Sequence, residues 1–267
     1  MASSDETPGQ MPPGDGSVPP GKPMTVGQHI IDKGAQMTQS LKPIKQMSQH
    51  VCTFASYSHD MTRQIETHHY VSRRNQDFLQ CDVYDSDDPN GRPIGVEYIT
   101  SDMIFETLGP KEQKLWHSHG YEITSGLWVN PRVPEMIQKP ELRDLARSCG
   151  KFWCTWQVDR GDRLPFGAPA LMMSPQGVNV GMVDLVKKMN DNYRILSEEL
   201  KISRIDIAIP EMTNSYADYW MQTGKGFAID IEKTYMHTIS GDMAPPALRR
   251  SIEGTIVATH QTKRHSA

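Results

Sequence analysis

The stretch Leu115-Trp116-His117-Ser118-His119-Gly120-Tyr121-Glu122 places two imidazoles one residue apart, with a carboxylate three residues beyond the second. Imidazole nitrogens and carboxylate oxygens are the donors that hold divalent transition metals such as zinc. Side chains of an extended chain alternate with a period of two, so His117 and His119 point to one face and can share an ion. Two ligands are not a site, however. The competing reading is a pair of histidines at a strand end, hydrogen-bonded to backbone and holding nothing. In an uninterrupted strand Glu122 faces away from both histidines; a bend at Gly120 reverses that.

Further donors lie upstream in Arg63-Gln64-Ile65-Glu66-Thr67-His68-His69-Tyr70. Residues 59–70 read as a helix, on which Glu66 and His69, three apart, share a face. His68 then points elsewhere, so at most one of the adjacent pair joins the same ion. Spacing therefore favours Glu66 over Glu122 as the carboxylate. The rival reading is a polar helix end whose histidines interact with the last carbonyls. Trp116 offers an apolar wall to such a site. Asp159 and Arg160, in a Gly- and Pro-rich loop, read as an ion-paired turn that can support the ligands from behind.

Other constellations fail on count. His117-x-His119-x-x-Glu122 has two residues between the second histidine and the glutamate, where a cupin motif has three or four. Pro165-Phe166-Gly167 leads to no further histidine. An EF-hand frame begun at Asp85 puts Asn90 where glycine is required. Cys149 and Cys154 form one C-x4-C pair with no second pair to complete a zinc knuckle. No Gly-rich phosphate loop, nucleophile elbow or Cys-His signature is present.

The elements that must position these residues are readable in outline. Thr25-Val26-Gly27-Gln28 is a capping box opening a helix to about Ser40. Strands are expected over 50–57, 78–84 and 93–99; the last two flank a polar turn and form a hairpin. Ser101-Asp102 caps a short helix to about Leu108. Tyr121–Val129 reads as a strand, and Phe152–Val158 as another. Leu142, Leu145, Ala146 and Cys149 have helical spacing, as do apolar residues from Val180 to Leu200. The mixture with short connections predicts an α+β fold, a single domain with a mainly antiparallel sheet packed by helices.

Composition narrows the class. The 267 residues carry 28 basic and 32 acidic side chains, a net charge of −4, so there is no basic excess to mark a nucleic-acid partner. Residues 1–24 hold six prolines, four glycines and no aromatic residue. That composition cannot bury enough apolar surface to offset its ordering entropy, and a disordered tail is expected there. A domain over 25–239 and a loose tail over 240–267 complete the division. The start has neither an apolar core nor a basic lead-in, so secretion is not expected. No apolar run approaches the ~20 residues of a membrane-spanning helix. Cys52, Cys81, Cys149 and Cys154 are expected reduced and mostly buried.

Several blocks in one order carry a family resemblance. They are Pro43-Ile44-Lys45-Gln46, Asp60-Met61, Arg63-Gln64, His68-His69, Gln80-Cys81, Tyr84-Asp85-Ser86, Ile94 to Ile99, Leu115 to His119, and Trp156 to Asp162 with Leu164-Pro165. Over residues 25–170 the chain resembles the oil body-associated protein family. That resemblance implies a place on the lipid-droplet surface and in the cytoplasm, and a role in droplet size and stability. It supplies no catalytic mechanism. Without a long apolar hairpin, attachment must be peripheral, to the droplet surface or to a droplet protein. The alternative is a metal-binding protein or metal-dependent enzyme centred on His117 and His119.

Overall fold

Seven strands build the sheet: β1 (Gln49–Tyr57), β2 (Asp60–Asn75), β3 (Phe78–Tyr84), β4 (Pro93–Thr100), β5 (His117–Ser118), β6 (Cys149–Cys154) and β7 (Ala170–Met173). Neighbours follow the order β4-β3-β2-β1-β7-β6-β5, and β4 also pairs with β6. Six strands thus close into an antiparallel barrel, with the two residues of β5 pairing against the start of β6. The computed structural model describes residues 19–177, 182–209 and 216–232, and those up to Ile231 form one compact unit. The α+β expectation holds.

Among the described residues, eight α-helices surround the barrel: α1 (Val26–Thr38), α2 (Asp102–Phe105), α3 (Pro110–Gln113), α4 (Gly120–Thr124), α5 (Glu135–Leu145), α6 (Val183–Tyr193), α7 (Ser197–Ser203) and α8 (Tyr219–Thr223). The Thr25–Gln28 capping box opens α1 as expected. The hairpin is also present: the loop between β3 and β4 is closed by Asp85, which accepts from the Arg92 backbone amide and side chain. Alternation along β1 and β2 sends Val51, Ala55, Tyr57, Ile65 and Val71 into the barrel core. On the outer face of β1, Cys52 and Phe54 pack with Met182 and Met189. β1 is therefore covered on both sides.

Four expectations are corrected. Residues 59–70 are not a helix but most of β2, laddered to β1 and β3 on either side. Helix propensity is a weak prior, and strand pairing with β1, joined by β3 from His68 onward, outweighs it. Tyr121–Val129 is not a strand: the chain turns helically at α4, then reverses at Gly126 (φ +77°), leaving a single bridge from Val129 to Cys52. A Cβ at Gly126 would stand 2.1 Å from the Ser197 carbonyl oxygen, so only glycine fits. The expected helix from Val180 to Leu200 is two helices, broken at Arg194, which is left-handed at φ 53°; Val180 itself lies outside the described residues. Cys149 opens β6 rather than closing the preceding helix, and β6 ends at Cys154 instead of running to Val158.

The loop after α4 is locked from beneath by Arg204, whose side chain is wholly buried. Its guanidinium donates to the Ile123 and Trp128 carbonyls at 2.9 Å and forks onto the Glu135 carboxylate. Each guanidinium nitrogen meets an acceptor, which is the condition for burying a charge. Residues 1–18 of the expected N-terminal tail and all of 240–267 lie outside the described residues; residues 19–24 contain no helix or strand. All four cysteines are free and buried. Among the described residues, no helix is long and apolar enough to cross a membrane.

Candidate metal centre

Within the apolar barrel sits a polar layer. β2 contributes Thr67 and His69, β1 Thr53, β4 Glu97 and β5 His117; all are buried. The chain leaves β5 at His119, which has helical dihedrals, and α4 then brings Glu122 back toward it. His117 Nε2 stands 2.9 Å from Glu97 Oε1 and His119 Nε2 stands 3.4 Å from the same oxygen. His69 Nδ1 is 2.8 Å from Glu97 Oε2, close enough for an ion pair but misaligned for a hydrogen bond. Glu122 Oε1 lies 3.8 Å from His119 Nε2, and its other oxygen meets the Thr53 hydroxyl at 2.5 Å.

The far side of each imidazole is held as well. His117 Nδ1 lies 3.2 Å from the Met172 carbonyl, which can only accept, so this nitrogen carries a proton. His119 Nδ1 lies 2.8 Å from Ser148 Oγ, whose own proton goes to the Leu145 carbonyl. That network assigns the Nδ1–H tautomer to both rings and, in the neutral form, leaves each Nε2 a lone pair. Trp128, with ring centroids 5.5 Å from those of His119, and Phe152 beside His69 supply the aromatic walls.

Electrostatics divides the two carboxyls. Burial opposes charge on Glu97, yet interaction with His69 and the contacts from His117 and His119 outweigh it and hold this carboxyl well below the usual range. Burial pushes Glu122 well above that range, with the negative charge of Glu97 adding to the effect against the Thr53 hydrogen bond. Burial also lowers His119, against the pull of Glu97. One buried site thus favours the charged form of Glu97 and disfavours that of Glu122.

The opposite face of β2 holds a different group. Glu66 Oε1 lies 3.5 Å from His68 Nε2 and 3.6 Å from Cys52 Sγ, while Glu66 Oε2 accepts from Lys188 Nζ at 2.7 Å. His68 Nδ1 faces His50 Nε2 at 3.1 Å, and Tyr193 bridges His68 to Asp87. Glu66, His68, Asp87, Lys188 and Tyr193 border an open cleft of about 700 Å³.

Comparison with known proteins bears on the whole of this arrangement. Residues 41–208 match the model of a family described as "Protein of unknown function (DUF1264)". Oil body-associated protein 2A of Arabidopsis thaliana is 59% identical over 244 residues, covering 90% of this chain and 99% of its own. Oil body-associated protein 2A of Zea mays is 56% identical, covering 86% and 95%. A more distant relative, oil body-associated protein 1B of Arabidopsis thaliana, is 39% identical over 74% of this chain and 82% of its own. The chain belongs to the oil body-associated protein family. No solved structure matches it.

In this member of the family, the candidate residues separate by strand phase. His117, His119 and His69 come together, with Glu122 at their edge. Glu66 and His68 lie on the outer face of β2, because a strand, unlike a helix, sends residues three apart to opposite sides. The ranking of Glu66 over Glu122 is overturned by the helical turn that starts at His119. Trp116 packs beside Phe105 and donates to Glu112, away from the cluster. Asp159 accepts from Tyr57 and Arg63, and Arg160 pairs with Asp162; neither supports the histidines. The central carboxylate, Glu97, is the residue that motif reading missed. Its signal lay in strand phase: an acid two residues from Ile99 occupies an inward position of β4.

Proposed function

We propose that this chain is a peripheral oil-body protein that attaches to the droplet from its aqueous side and supports droplet stability. One observation carries the reading: no residue of α1 is buried. Val26, Ile30 and Met37, spaced four and seven apart, fall on one stripe of that helix, with the long side chain of Lys33 set among them, and remain 76%, 68% and 87% exposed. An amphipathic helix with its apolar stripe open lies flat in a lipid interface, burying that stripe at the headgroup boundary. From residue 19 to 48 the only charged side chains are Lys22, Lys33, Lys42 and Lys45 against Asp32. Four cations against one anion suit an anionic phospholipid monolayer. The relatives' printed names support the destination.

Flotation with phospholipid-coated triacylglycerol droplets tests this. The wild-type protein should float at low salt and be stripped by high salt or alkaline carbonate. Ile30→Asp with Met37→Asp should move it to the soluble fraction and let droplets coalesce faster, with the thermal transition unchanged, since neither side chain is buried. A doubly substituted protein that floats and protects droplets as well as wild type overturns attachment through α1. Retention through carbonate overturns peripheral attachment altogether.

A further inference from the structure

The interior of the barrel gathers its polar side chains around one carboxylate. The Nε2 atoms of His117 and His119 both aim at Glu97 Oε1, at 2.9 and 3.4 Å. Their Nδ1 atoms are committed to the Met172 carbonyl and to a serine hydroxyl whose proton is already used. Three electron-rich atoms therefore converge on one point. Imidazoles oriented through Nδ1–H, with Nε2 turned inward, are the arrangement by which proteins present histidine to a metal.

The spacing agrees. With zinc–ligand bonds of ~2.0–2.1 Å in a tetrahedral shell, neighbouring ligand atoms stand roughly 3.3–3.4 Å apart. The backbone also makes room. Gly150 pairs with His117 across β5 and β6, and a Cβ added to it would stand 2.3 Å from Glu97 Oε1, 2.6 Å from His119 Nε2 and 2.7 Å from His117 Nε2. The three donor atoms close over a position that only glycine leaves free. A further sign is His69 Nδ1, a buried polar atom lying against Glu97 Oε2 without a hydrogen bond of its own.

We propose that Glu97, His117 and His119 bind one divalent transition metal ion of the zinc class, with Glu122 completing the shell and His69 positioning the free oxygen of Glu97. Two imidazole nitrogens and carboxylate oxygens, with no thiolate, are the donor set for such an ion. All the donors are buried, and the cavity beside them measures about 10 Å³. That volume admits no organic substrate, so the ion is structural: it ties β4, β5 and α4 together inside the barrel.

The test uses the full chain, stripped with a chelator, confirmed folded by circular dichroism, and titrated with Zn²⁺ or Co²⁺. The expected result is one equivalent bound per chain, a visible Co²⁺ absorption band of a low-symmetry site, and a higher melting temperature with metal than without. His119→Ala and Glu97→Gln should each lower affinity by at least ~100-fold, and His69→Phe by roughly 10–100-fold, as for the loss of an orienting partner. Gly150→Ala should abolish binding, because the new methyl group pushes the three donor atoms apart without removing any of them. His68→Ala, on the outer face, should leave the stoichiometry at one.

A folded wild-type chain that binds less than a tenth of an equivalent overturns the proposal, as does binding that survives Glu97→Gln or is lost with His68→Ala. If the ligand variants fail to fold, the wild-type titration and Gly150→Ala still decide it. Flotation on droplets is a separate readout and reports on α1 alone.

Discussion

His68 and His69 are neighbours in sequence but lie on opposite faces of β2 and meet opposite surroundings. His69 faces a closed interior in which Glu97 gathers three imidazoles and no lysine or arginine lines the adjoining cavity. His68 faces a cleft in which the neighbouring carboxylate, Glu66, already holds the Lys188 ammonium at 2.7 Å. Both clusters contain the residue types that ligate metals. The difference is whether the protein has supplied the counter-charge itself. Outside, an ion must displace a lysine; inside, the positive charge that Glu97 requires has no permanent cationic side chain to provide it.

The comparison breaks most readily at the two carboxylates. Glu97→Ala removes the buried carboxylate that His69, His117 and His119 surround and should cost about 3–5 kcal/mol, the range for removing one partner from a buried charged set. Glu66→Ala should cost about 1–2 kcal/mol, because water in the cleft can take the place of the lost acceptor. Equilibrium denaturation of the two variants measures both. Equal losses would mean that the interior is no more demanding than the cleft.

Gly150→Ala should destabilise the metal-free protein by about 1–3 kcal/mol, as overpacking of a tight interior does. Gly34→Ala, in the exposed helix α1 with nothing within 4 Å of the new methyl group, should stabilise by about 0.5–1 kcal/mol. Thermal melts that shift in the same direction for both would remove the argument that Gly150 is there for space.

Acid sharpens the outer cluster. Burial opposes charge on Glu66, but hydrogen bonds from His68 and Lys188 overcome it and bring its pKa to about 2 from 4.5. A depressed carboxyl contributes stability that is present above its unfolded pKa and lost as pH falls through the folded one. The stability gap between wild type and Glu66→Gln should therefore be full at pH 6 and close between about 4.5 and 2. Burial, aided by His68, lowers His50 to about 4 from 6.5. Its neutral form is the folded one, so wild type should also lose stability as pH falls from 6.5 toward 4, and His50→Gln should flatten that limb. Urea midpoints across pH 2–7 read both windows; a gap that widens on acidification refutes the assignment for Glu66.

The smallest effect belongs to Lys188. Its side chain is 60% exposed, and an ion pair open to solvent contributes about 0–1 kcal/mol and less in salt. Lys188→Met should fall in that range at low ionic strength. A loss of several kcal/mol would show that the cleft behaves as an interior.

Local pattern carried part of this structure. The Thr25 capping box, the β3–β4 hairpin with its polar loop, and the Ser101 cap each rest on residues within a few positions of one another, and each stands where periodicity and cap chemistry put it. The His117/His119 pair was legible for the same reason. Glu97 was not, because nothing within eight residues of it marks a ligand. Its role comes from strands separated in sequence by fifty residues, with Gly150 lying opposite His117.

What the sequence by itself determined is therefore the α+β class, the family, the capped start of α1 and a pair of histidines fit to bind an ion. Only the tertiary structure decided which other donors join them. Residues 59–70 have no local reason to be extended; hydrogen-bond ladders to β1 and β3 make them so, and that choice turns His69 inward and Glu66 outward. Helix and strand differ in period, 3.6 against 2, so the same spacing of three puts two side chains on one face or on opposite faces. Long-range pairing selects the period, and the period selects the ligands.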